Sequence, residues 1–303
     1  MTDEVFGGVL CAGFGTRLRP LTNVLPKPLL PFLNTPIVAY ALERLGDAGV
    51  KRVALNLHHL PDAIPPVVDR LAAALGMEPV YAHEWEILGS GGGLRGLWHA
   101  HGEPEGTMVV LNGDSVMDTA LSPHIVAHKD SEREVTLLVR PRADDQPGRV
   151  FVDEHGVLQG IRAYRRPGAP PDRELIEHDF TGVHLIDSAA LSRIPLEHCD
   201  IIDTLYGPML EAGEPIGVSV AGGFWAALDS PRLMVETAAS VLRDTNRFAL
   251  APMPTPHADG MWFYSPGEIS DHAEFSPPVF LGMNAKVEAG AKVGPNVVLD
   301  GAT

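Results

Sequence analysis

Through the first half of the chain, short apolar runs alternate with segments whose apolar residues recur at helical spacing. Five runs predict buried strands: residues 5–11, 53–57, 79–82, 108–111 and 135–139. Four segments predict helices between them: residues 37–45, 63–75, 94–100 and 123–128. Strands that alternate with helices are typical of βαβ units. The pattern therefore predicts an α/β fold with a mostly parallel sheet flanked by helices.

The second half of the chain has a different pattern. Residues 148–161 predict a hairpin that turns at Glu154, His155 and Gly156, and residues 183–186 and 216–220 predict further strands. A helix is expected over residues 231–247. Prolines then accumulate and predict a connector, at Pro252, Pro254, Pro256, Pro266, Pro277 and Pro278.

The tail contains a six-residue repeat of aliphatic side chains. Its members are Leu281, Val287, Val293 and Leu299, with Gly282, Gly290 and Gly294 among them. A hexapeptide period of this kind is typical of a left-handed parallel β-helix, although one extended strand pair could show it by chance. Three hexapeptides make about one coil, which cannot bury its own face. The tail therefore needs a partner: the main domain, another subunit of a homo-oligomer, or further residues of a longer chain.

Composition narrows the class of protein and its partners. The 303 residues are 45% hydrophobic, which suits a large α/β domain with an appendage. The formal net charge of −16 argues against nucleic acid and anionic membranes as partners. Cys11 and Cys199 are too few for a disulfide framework. No apolar run approaches the ~20 residues of a membrane span and no signal peptide is recognisable, so we expect a cytoplasmic protein.

A glycine-rich loop with nearby cations follows the first predicted strand. Gly13 and Gly15 allow the backbone to approach a ligand, and successive N–H groups form an anion-binding concavity. Arg17, Arg19 and Lys27 supply positive charge beside it, which suits a triphosphate. The loop lacks the third glycine of the dinucleotide fingerprint and the Gly-Lys-Ser/Thr of the Walker loop.

The same stretch resembles the signature of the sugar-1-phosphate nucleotidyltransferases, or sugar-nucleotide pyrophosphorylases. That pattern is Gly-x-Gly-Thr-Arg-Leu-x-Pro-Leu-Thr followed by Pro-Lys-Pro-Leu, and residues 13–22 and 26–29 match it throughout. The resemblance implies a Rossmann-like domain over residues 1–247, a proline-rich connector over 248–278 and a partial left-handed β-helix over 279–303. It also implies a Mg²⁺-dependent reaction of a nucleoside triphosphate with a sugar-1-phosphate, which yields an NDP-sugar and pyrophosphate.

The resemblance implies roles for particular residues. Arg17 would neutralise the leaving pyrophosphate, and Lys27 would lie near the α-phosphate or the sugar phosphate. Asp114, at the carboxyl end of a strand, would bind the metal, unless Asn112-Gly113-Asp114 is only a turn. The nucleotide would be held by two groups of residues: Ala12, Gly13, Gly15 and Thr16 in the first loop, and Glu84, Gly89, Ser90 and Gly91 around a second glycine run.

The sugar side departs from the family pattern. The family's Trp-x-Asp-Ile-Gly-Thr-Pro segment, whose aspartate is a second metal ligand, corresponds to residues 225–231, with Ala227 at the aspartate position. Asp229 lies two residues later, and could replace it only if the backbone bulges there. Arg166 stands where the family has a sugar-phosphate lysine. Gly182 begins the family's sugar-facing strand, and Glu177 would reach sugar hydroxyls or else be a surface carboxylate.

Two hypotheses remain from the sequence. The first is an active nucleotidyltransferase, nearest the mannose-1-phosphate guanylyltransferase and muramate-phosphate uridylyltransferase types. The second is a nucleotide- or sugar-nucleotide-binding regulatory subunit that has lost turnover. Arg17 and Lys27 would have little reason to persist together in a pure binder, which favours the enzyme. The sequence does not distinguish guanine, uracil and thymine.

Overall fold

A computed structural model describes residues 4–142, 149–242, 255–258, 260–264 and 268–298 of the chain. Three predictions therefore fall wholly or partly outside the described residues. These are the end of the helix expected over residues 231–247, parts of the connector at 248–254, 259 and 265–267, and the repeat position Leu299.

The main domain holds fourteen described strands and seven α-helices. The strands are β1 (Val5–Leu10), β2 (Pro31–Phe32), β3 (Thr35–Pro36), β4 (Arg52–Leu57), β5 (Glu78–His83), β6 (Thr107–Asn112), β7 (Ser115–Met117), β8 (Val135–Pro141), β9 (Arg149–Val152), β10 (Leu158–Ile161), β11 (Tyr164–Arg165), β12 (Ile176–Asp187), β13 (Gly217–Val220) and β14 (Trp225–Ala227). The helices are α1 (Ile37–Asp47), α2 (Pro65–Ala74), α3 (Gly89–Ala100), α4 (Ser122–Asp130), α5 (Ser188–Leu191), α6 (Gly207–Glu211) and α7 (Pro231–Leu242).

A ten-stranded sheet forms the centre of this domain. Strands β5, β4, β1 and β6 lie side by side in parallel, as the βαβ pattern predicts. The long strand β12 then pairs antiparallel with β6, with β8 and with β9, and β9, β10 and β11 continue as an antiparallel meander. The α/β class with a parallel centre is confirmed, and so is the hairpin predicted over residues 148–161.

Helices cover both faces of the sheet, because alternate residues of each strand point to opposite sides. Phe6 of β1 belongs to a buried cluster with Leu97 of α3, on one face. Val9 of the same strand packs with Leu42 of α1 and Val68 of α2, on the other. The result is a three-layer domain whose parallel strands all end at one edge, where the first glycine loop begins.

Helix α3 begins five residues earlier than predicted. The sequence predicts a helix from Leu94 that follows the second glycine run, but the helix already begins at Gly89. Its glycines face the backbone of a distant segment: the N–H of Gly91 donates to the carbonyl of Cys199 (2.9 Å), and a Cβ on Gly92 would overlap the carbonyl oxygen of Glu197. Close approach of another chain segment therefore explains the glycine run.

Two glycines of α3 allow a matched test of that packing. Gly92→Ala is expected to destabilise the protein by about 1–3 kcal/mol, since the added methyl group overlaps backbone that cannot rotate away. Gly96→Ala in the same helix is expected to stabilise it by about 0.5–1 kcal/mol, because the nearest atom to its Cβ would be 3.9 Å away. Urea unfolding of the two variants measures both changes. A stabilising Gly92→Ala would contradict the packing role.

The strands of the tail pair in parallel with strands of the segment expected to be a connector, or with each other. The connector segment holds β15 (Thr255–Ala258), β16 (Met261–Phe263), β17 (Glu268–Ile269) and β18 (Glu274–Phe275), and the tail holds β19 (Val279–Leu281), β20 (Lys286–Val287), β21 (Lys292–Val293) and β22 (Asn296–Val298). The pairs are β16 with β19, β17 with β20, β18 with β21, and β19 with β22.

The tail packs on the main domain. Trp262 of β16 and Phe280 of β19 share a buried cluster with Tyr40 of α1 and Val241 of α7. This contact supplies one of the partners that the short repeat was expected to need. Among the described helices, none combines the length and the apolar character that a bilayer crossing requires.

Candidate functional site

The first glycine loop leaves β1 at the parallel edge of the sheet and enters a 3₁₀ turn at Thr16–Leu18. Gly15 has φ 60°, in the left-handed region, and its carbonyl accepts a hydrogen bond from the Thr22 hydroxyl (2.9 Å). A Cβ on Gly13 would meet no atom within 4 Å, so the loop is open at that point. Ala12 is buried, whereas Gly13 and Thr16 are exposed.

Two cations and two carboxylates converge beside this loop. The ammonium of Lys27 donates to Asp114 Oδ2 (2.7 Å) and to Asp229 Oδ1 (2.6 Å), and the guanidinium of Arg17 lies 3.0 Å from the same Asp229 oxygen. The Lys27 side chain is only 9% exposed, whereas Arg17 is 71% exposed. The structure therefore brings together four of the charged residues singled out in the sequence, with Lys27 held between two acids and Arg17 open to solvent.

A small two-stranded sheet places the two carboxylates side by side. Strand β7 follows Asp114 directly, and it pairs antiparallel with β14 so that Ser115 lies opposite Ala227. The chain leaves the strand after Ala227, and the N–H of Leu228 donates to the carbonyl of Asp114 (3.0 Å). Strand spacing therefore does not separate Asp229 from the site, because Asp229 lies beyond the end of β14.

A cavity of about 900 Å³ extends from this cluster along the edge of the sheet. Arg17, Asp114 and Asp229 line it together with Ala227 and Trp225. Phe151, Ile161, Phe180 and Ile202 contribute apolar wall, and polar groups come from Ser90, Asn112, Thr181 and Asp200. A mixed wall of this kind, ending at a cation cluster, suits a ligand with an anionic end and a hydroxylated or aromatic body.

The predicted sugar-side residues are only partly at this cavity. Gly182 lines it with φ 80°, and a Cβ there would overlap the Asn112 side chain. Arg166 is not among the lining residues, since its guanidinium donates to the carbonyl of Glu214 (3.3 Å). Glu177 is outside the lining too, and pairs with Arg142 (2.8 Å).

Arg165, the neighbour of Arg166, lines the cavity instead. Its guanidinium lies 4.4 Å from the centre of the Phe151 ring and pairs with Asp172 (3.0 Å). Residue type alone could not show this, because adjacent residues of a strand point to opposite sides and the pairing of β11 decides which side faces the cavity.

The second group of predicted nucleotide residues divides in the same way. Ser90 lines the cavity, and its hydroxyl donates to Asp200 Oδ2 (3.2 Å). Gly89 and Gly91 pack against the backbone of Cys199. Glu84 is 5% exposed and both of its carboxylate oxygens accept hydrogen bonds inside the protein, so it does not line the cavity.

The sequence analysis missed a bridge across the cavity wall. Arg162 makes two hydrogen bonds to Asp200 (2.8 and 3.0 Å), and it also reaches Asp203 (3.3 Å). Asp200 in turn accepts the backbone N–H groups of Ile202 and Asp203. The Arg162 guanidinium, through a hydrogen bond, contributes to holding the pKa of Asp200 below its ordinary value, and desolvation opposes it. No local motif marks these residues, since they meet only in the fold.

A buried histidine lines the cavity. His184 of β12 contacts the Tyr206 hydroxyl through Nδ1 (2.6 Å), and burial lowers its pKa from 6.5 to about 3. The imidazole is therefore neutral in the folded protein at neutral pH, and it presents no charge to a bound anion.

Lowering the pH is expected to reduce the stability of the protein, in part through His184. The unfolded chain takes up a proton near pH 6.5 while the folded chain does not until about pH 3, so stability is fully present above pH 6.5 and falls as the pH drops between these values. Lowering the pH from about 7 to about 4.5 is expected to cost about 2–3 kcal/mol through this group. Urea unfolding at the two pH values checks this, and His184→Gln should remove that part of the loss. An unchanged pH dependence in His184→Gln would contradict the assignment.

Comparison with known proteins agrees with the geometry. The family model described as nucleotidyl transferase matches residues 7–159, which include the glycine loop, Lys27 and Asp114. The chain belongs to this family. The match ends before Asp229, so only the structure places this second carboxylate in the cluster.

Individual relatives in this family carry sugar-nucleotide names. The chain is 30% identical over 229 residues to a mannose-1-phosphate guanylyltransferase catalytic subunit beta of Drosophila pseudoobscura pseudoobscura, covering 74% of this chain and 59% of that protein. It is 29% identical over 306 residues to a mannose-1-phosphate guanylyltransferase of Mycobacterium tuberculosis, covering 99% of this chain and 80% of the relative. A solved UDP-glucose pyrophosphorylase in complex with UDP-glucose has the same fold, with a TM-score of 0.63 at 15% identity over 80% of this chain and 99% of that one.

Proposed function

We propose that this protein is a sugar-1-phosphate nucleotidyltransferase, which joins a nucleoside triphosphate to a sugar-1-phosphate and releases pyrophosphate. The observation that carries the proposal is the convergence of Arg17, Lys27, Asp114 and Asp229 at the end of a large cavity, beside an open glycine loop. The printed names of the relatives in the same family support it.

The arrangement suits attack by the sugar phosphate on the α-phosphorus. In that reaction a phosphate oxygen of the sugar-1-phosphate forms a bond to the α-phosphorus, and the bond from the α-phosphorus to the bridging oxygen of pyrophosphate breaks. Catalysis of such a transfer is mostly positioning and neutralisation of charge. The exposed guanidinium of Arg17 can exchange its ion pair with Asp229 for the β- and γ-phosphates, and the buried ammonium of Lys27 stabilises charge near the α-phosphate.

The carboxylate pair fits a magnesium ion. Asp114 and Asp229 both offer oxygens to the single ammonium of Lys27, so the protein already stabilises a cation between them. Hard oxygen donors are what Mg²⁺ prefers, and it is commonly bound by one or two carboxylates plus substrate phosphates. When bound, the ion would neutralise charge on the phosphates.

Several finer assignments belong to the same proposal. Mannose-1-phosphate and GTP are the first substrates to test, because they match the names of the relatives. We assign nucleotide contacts to Ala12, Gly13, Gly15, Thr16 and Ser90, and a sugar-side contact to Gly182. We further propose a cytoplasmic enzyme, with the tail as part of a left-handed β-helix that also serves homo-oligomerisation.

Pyrophosphate release with Mg²⁺ tests the proposal. Four nucleoside triphosphates are crossed with a panel of hexose-1-phosphates and N-acetylated or acidic sugar-1-phosphates, and thermal shift by each nucleotide is measured on the same plates. Release with one pair supports the enzyme and names its substrates. Stabilisation by a nucleotide without release from any pair would favour a regulatory subunit in which Ala227 marks a lost ligand. If no pair releases pyrophosphate and no nucleotide stabilises the protein, the proposal is overturned.

A further inference from the structure

A buried chain of hydrogen bonds joins the first glycine loop to the start of helix α3. The N–H of Cys11 donates to Asn56 Oδ1 (2.5 Å), and Asn56 Nδ2 donates to Glu84 Oε1 (2.7 Å). The second carboxylate oxygen of Glu84 accepts the N–H of Leu88 (2.8 Å), which precedes the first residue of α3. Asn56 and Glu84 are 2% and 5% exposed, so water does not compete for these bonds.

A second contact connects the same two regions. His58 Nδ1 donates to the backbone carbonyl of Glu84 (2.8 Å), and the Phe14 ring packs edge-on against the His58 ring at 5.1 Å. Phe14 lies between the two glycines of the loop. The loop is therefore tied to the Glu84 turn at its beginning and near its middle.

Gly93 leaves room for the hydrogen bond between Asn56 and Glu84, because it has no side chain. A Cβ on Gly93 would lie 3.0 Å from Asn56 Nδ2 and 3.5 Å from Glu84 Oε1. Helix α3 consequently approaches the amide and the carboxylate closely, and Ser90, one turn earlier in the helix, faces the cavity.

We propose that Asn56 and Glu84 are positioning residues, which hold the phosphate-binding loop and the start of α3 in one fixed relation. Neither residue lines the cavity. Each acts through a backbone group, at Cys11 and at Leu88. The two groups of residues proposed to hold the nucleotide would therefore be fixed in one rigid unit. This inference rests on the proposed function only for the ligand, because the coupling itself is a property of the protein.

The hydrogen-bond chain allows the acid and the amide to be exchanged without a change of net charge. In Asn56→Asp a second carboxylate faces Glu84. In Glu84→Gln one of the two donors to residue 84, Asn56 Nδ2 or the Leu88 N–H, meets an amide nitrogen. The double variant restores every partner, since the aspartate accepts from Cys11 and from the new glutamine, and the glutamine oxygen accepts from Leu88. The net charge of the double variant equals that of the wild type.

Nucleotide binding and amide hydrogen exchange of the full chain test the proposal, and the KM for the sugar phosphate is the internal control. Each single variant is expected to weaken binding of MgGTP, or of whichever nucleotide the pyrophosphate-release assay selects, by at least about tenfold, because a buried polar group loses its partner. The KM for the sugar phosphate should stay within about threefold. Amide hydrogen exchange should rise across residues 11–18 and 84–92 together, and the double variant should recover both properties. Glu78→Gln, on the exposed start of the same strand β5, serves as the matched control.

The outcomes separate this proposal from the proposed function. Exchange that rises only around the substituted residue, or a double variant no better than the singles, would overturn the coupling. A wild type without turnover or nucleotide binding would overturn the function, while the exchange measurement would still decide the coupling. If a single variant fails to fold, Gly93→Ala crowds the same pair by a few tenths of an ångström, and a smaller rise in exchange across both segments is expected.

Discussion

Replacing Asp229 with asparagine is expected to lower kcat for pyrophosphate release by at least about 100-fold. Loss of a group that merely orients a metal ligand typically costs about 10–100-fold, so loss of a carboxylate proposed to bind the ion directly should cost at least as much. Asp229 shares the Lys27 ammonium with Asp114 and is the only described carboxylate besides Asp114 on that ammonium. Steady-state kinetics at saturating Mg²⁺ and substrates measures the effect, and Asp114→Asn should behave alike.

Asp62→Asn removes the same charge from an exposed position and should leave kcat unchanged. Ala227→Asp in the wild-type background tests the alternative position directly. If Asp229 supplies the second carboxylate, an additional acid at 227 brings no gain. Wild-type activity in Asp229→Asn, or a large increase in Ala227→Asp, would show that the second carboxylate of the cluster is not a ligand.

Replacing Lys27 with methionine is expected to lower both activity and metal-free stability. The two carboxylates would lose the ammonium between them, and hydrogen bonds to charged groups are worth about 1.5–3 kcal/mol. Because Asp114 is partly exposed, a net loss of about 2 kcal/mol is expected, with an apparent Tm several degrees lower. The loss should shrink when Mg²⁺ is added without nucleotide, since a divalent ion replaces the missing positive charge.

Thermal unfolding in EDTA and in Mg²⁺ measures this difference, together with kcat. Lys51→Met, which removes a lysine from an exposed position, is the control and should show neither effect. A Lys27→Met protein whose Tm matches the wild type in EDTA, or responds to Mg²⁺ no more than the wild type does, would contradict the role of Lys27 as the counter-ion of this pair.

The parallel centre of the fold was predictable because its signal is local. Apolar runs such as residues 53–57 and 108–111 coincide with β4 and β6 to within one residue at each end. Long buried strands need continuous apolar sequence, and the helices between them need a different period, so each element is visible by itself. The wrong start of α3 has a different cause. A glycine run indicates close approach of something, and only the fold shows that here it is the backbone near Cys199.

The residues of the candidate site show the same difference between local signals and contacts made only in the fold. Arg17, Lys27 and Asp114 lie in motifs whose spacing is informative, and the structure brings them together. Whether Asp229 could reach them depended on where β14 ends, and whether Arg165 or Arg166 faces the cavity depended on the pairing of a two-residue strand. Asn56, Arg162 and Asp200 became visible only through contacts between distant segments. Such contacts leave no periodic trace in the sequence.

The Lys27–Asp229 ion pair joins residues that are 202 positions apart. Closing so long a loop is entropically costly and slow compared with forming a local helix or hairpin. During synthesis the glycine loop and its lysine leave the ribosome long before the second carboxylate exists, so a nascent chain ending near residue 159 would already contain the matched family region without the complete cluster. The charged cluster is therefore among the last parts of the domain that can form. Its formation requires that the segments around Lys27 and Asp229 have already come together.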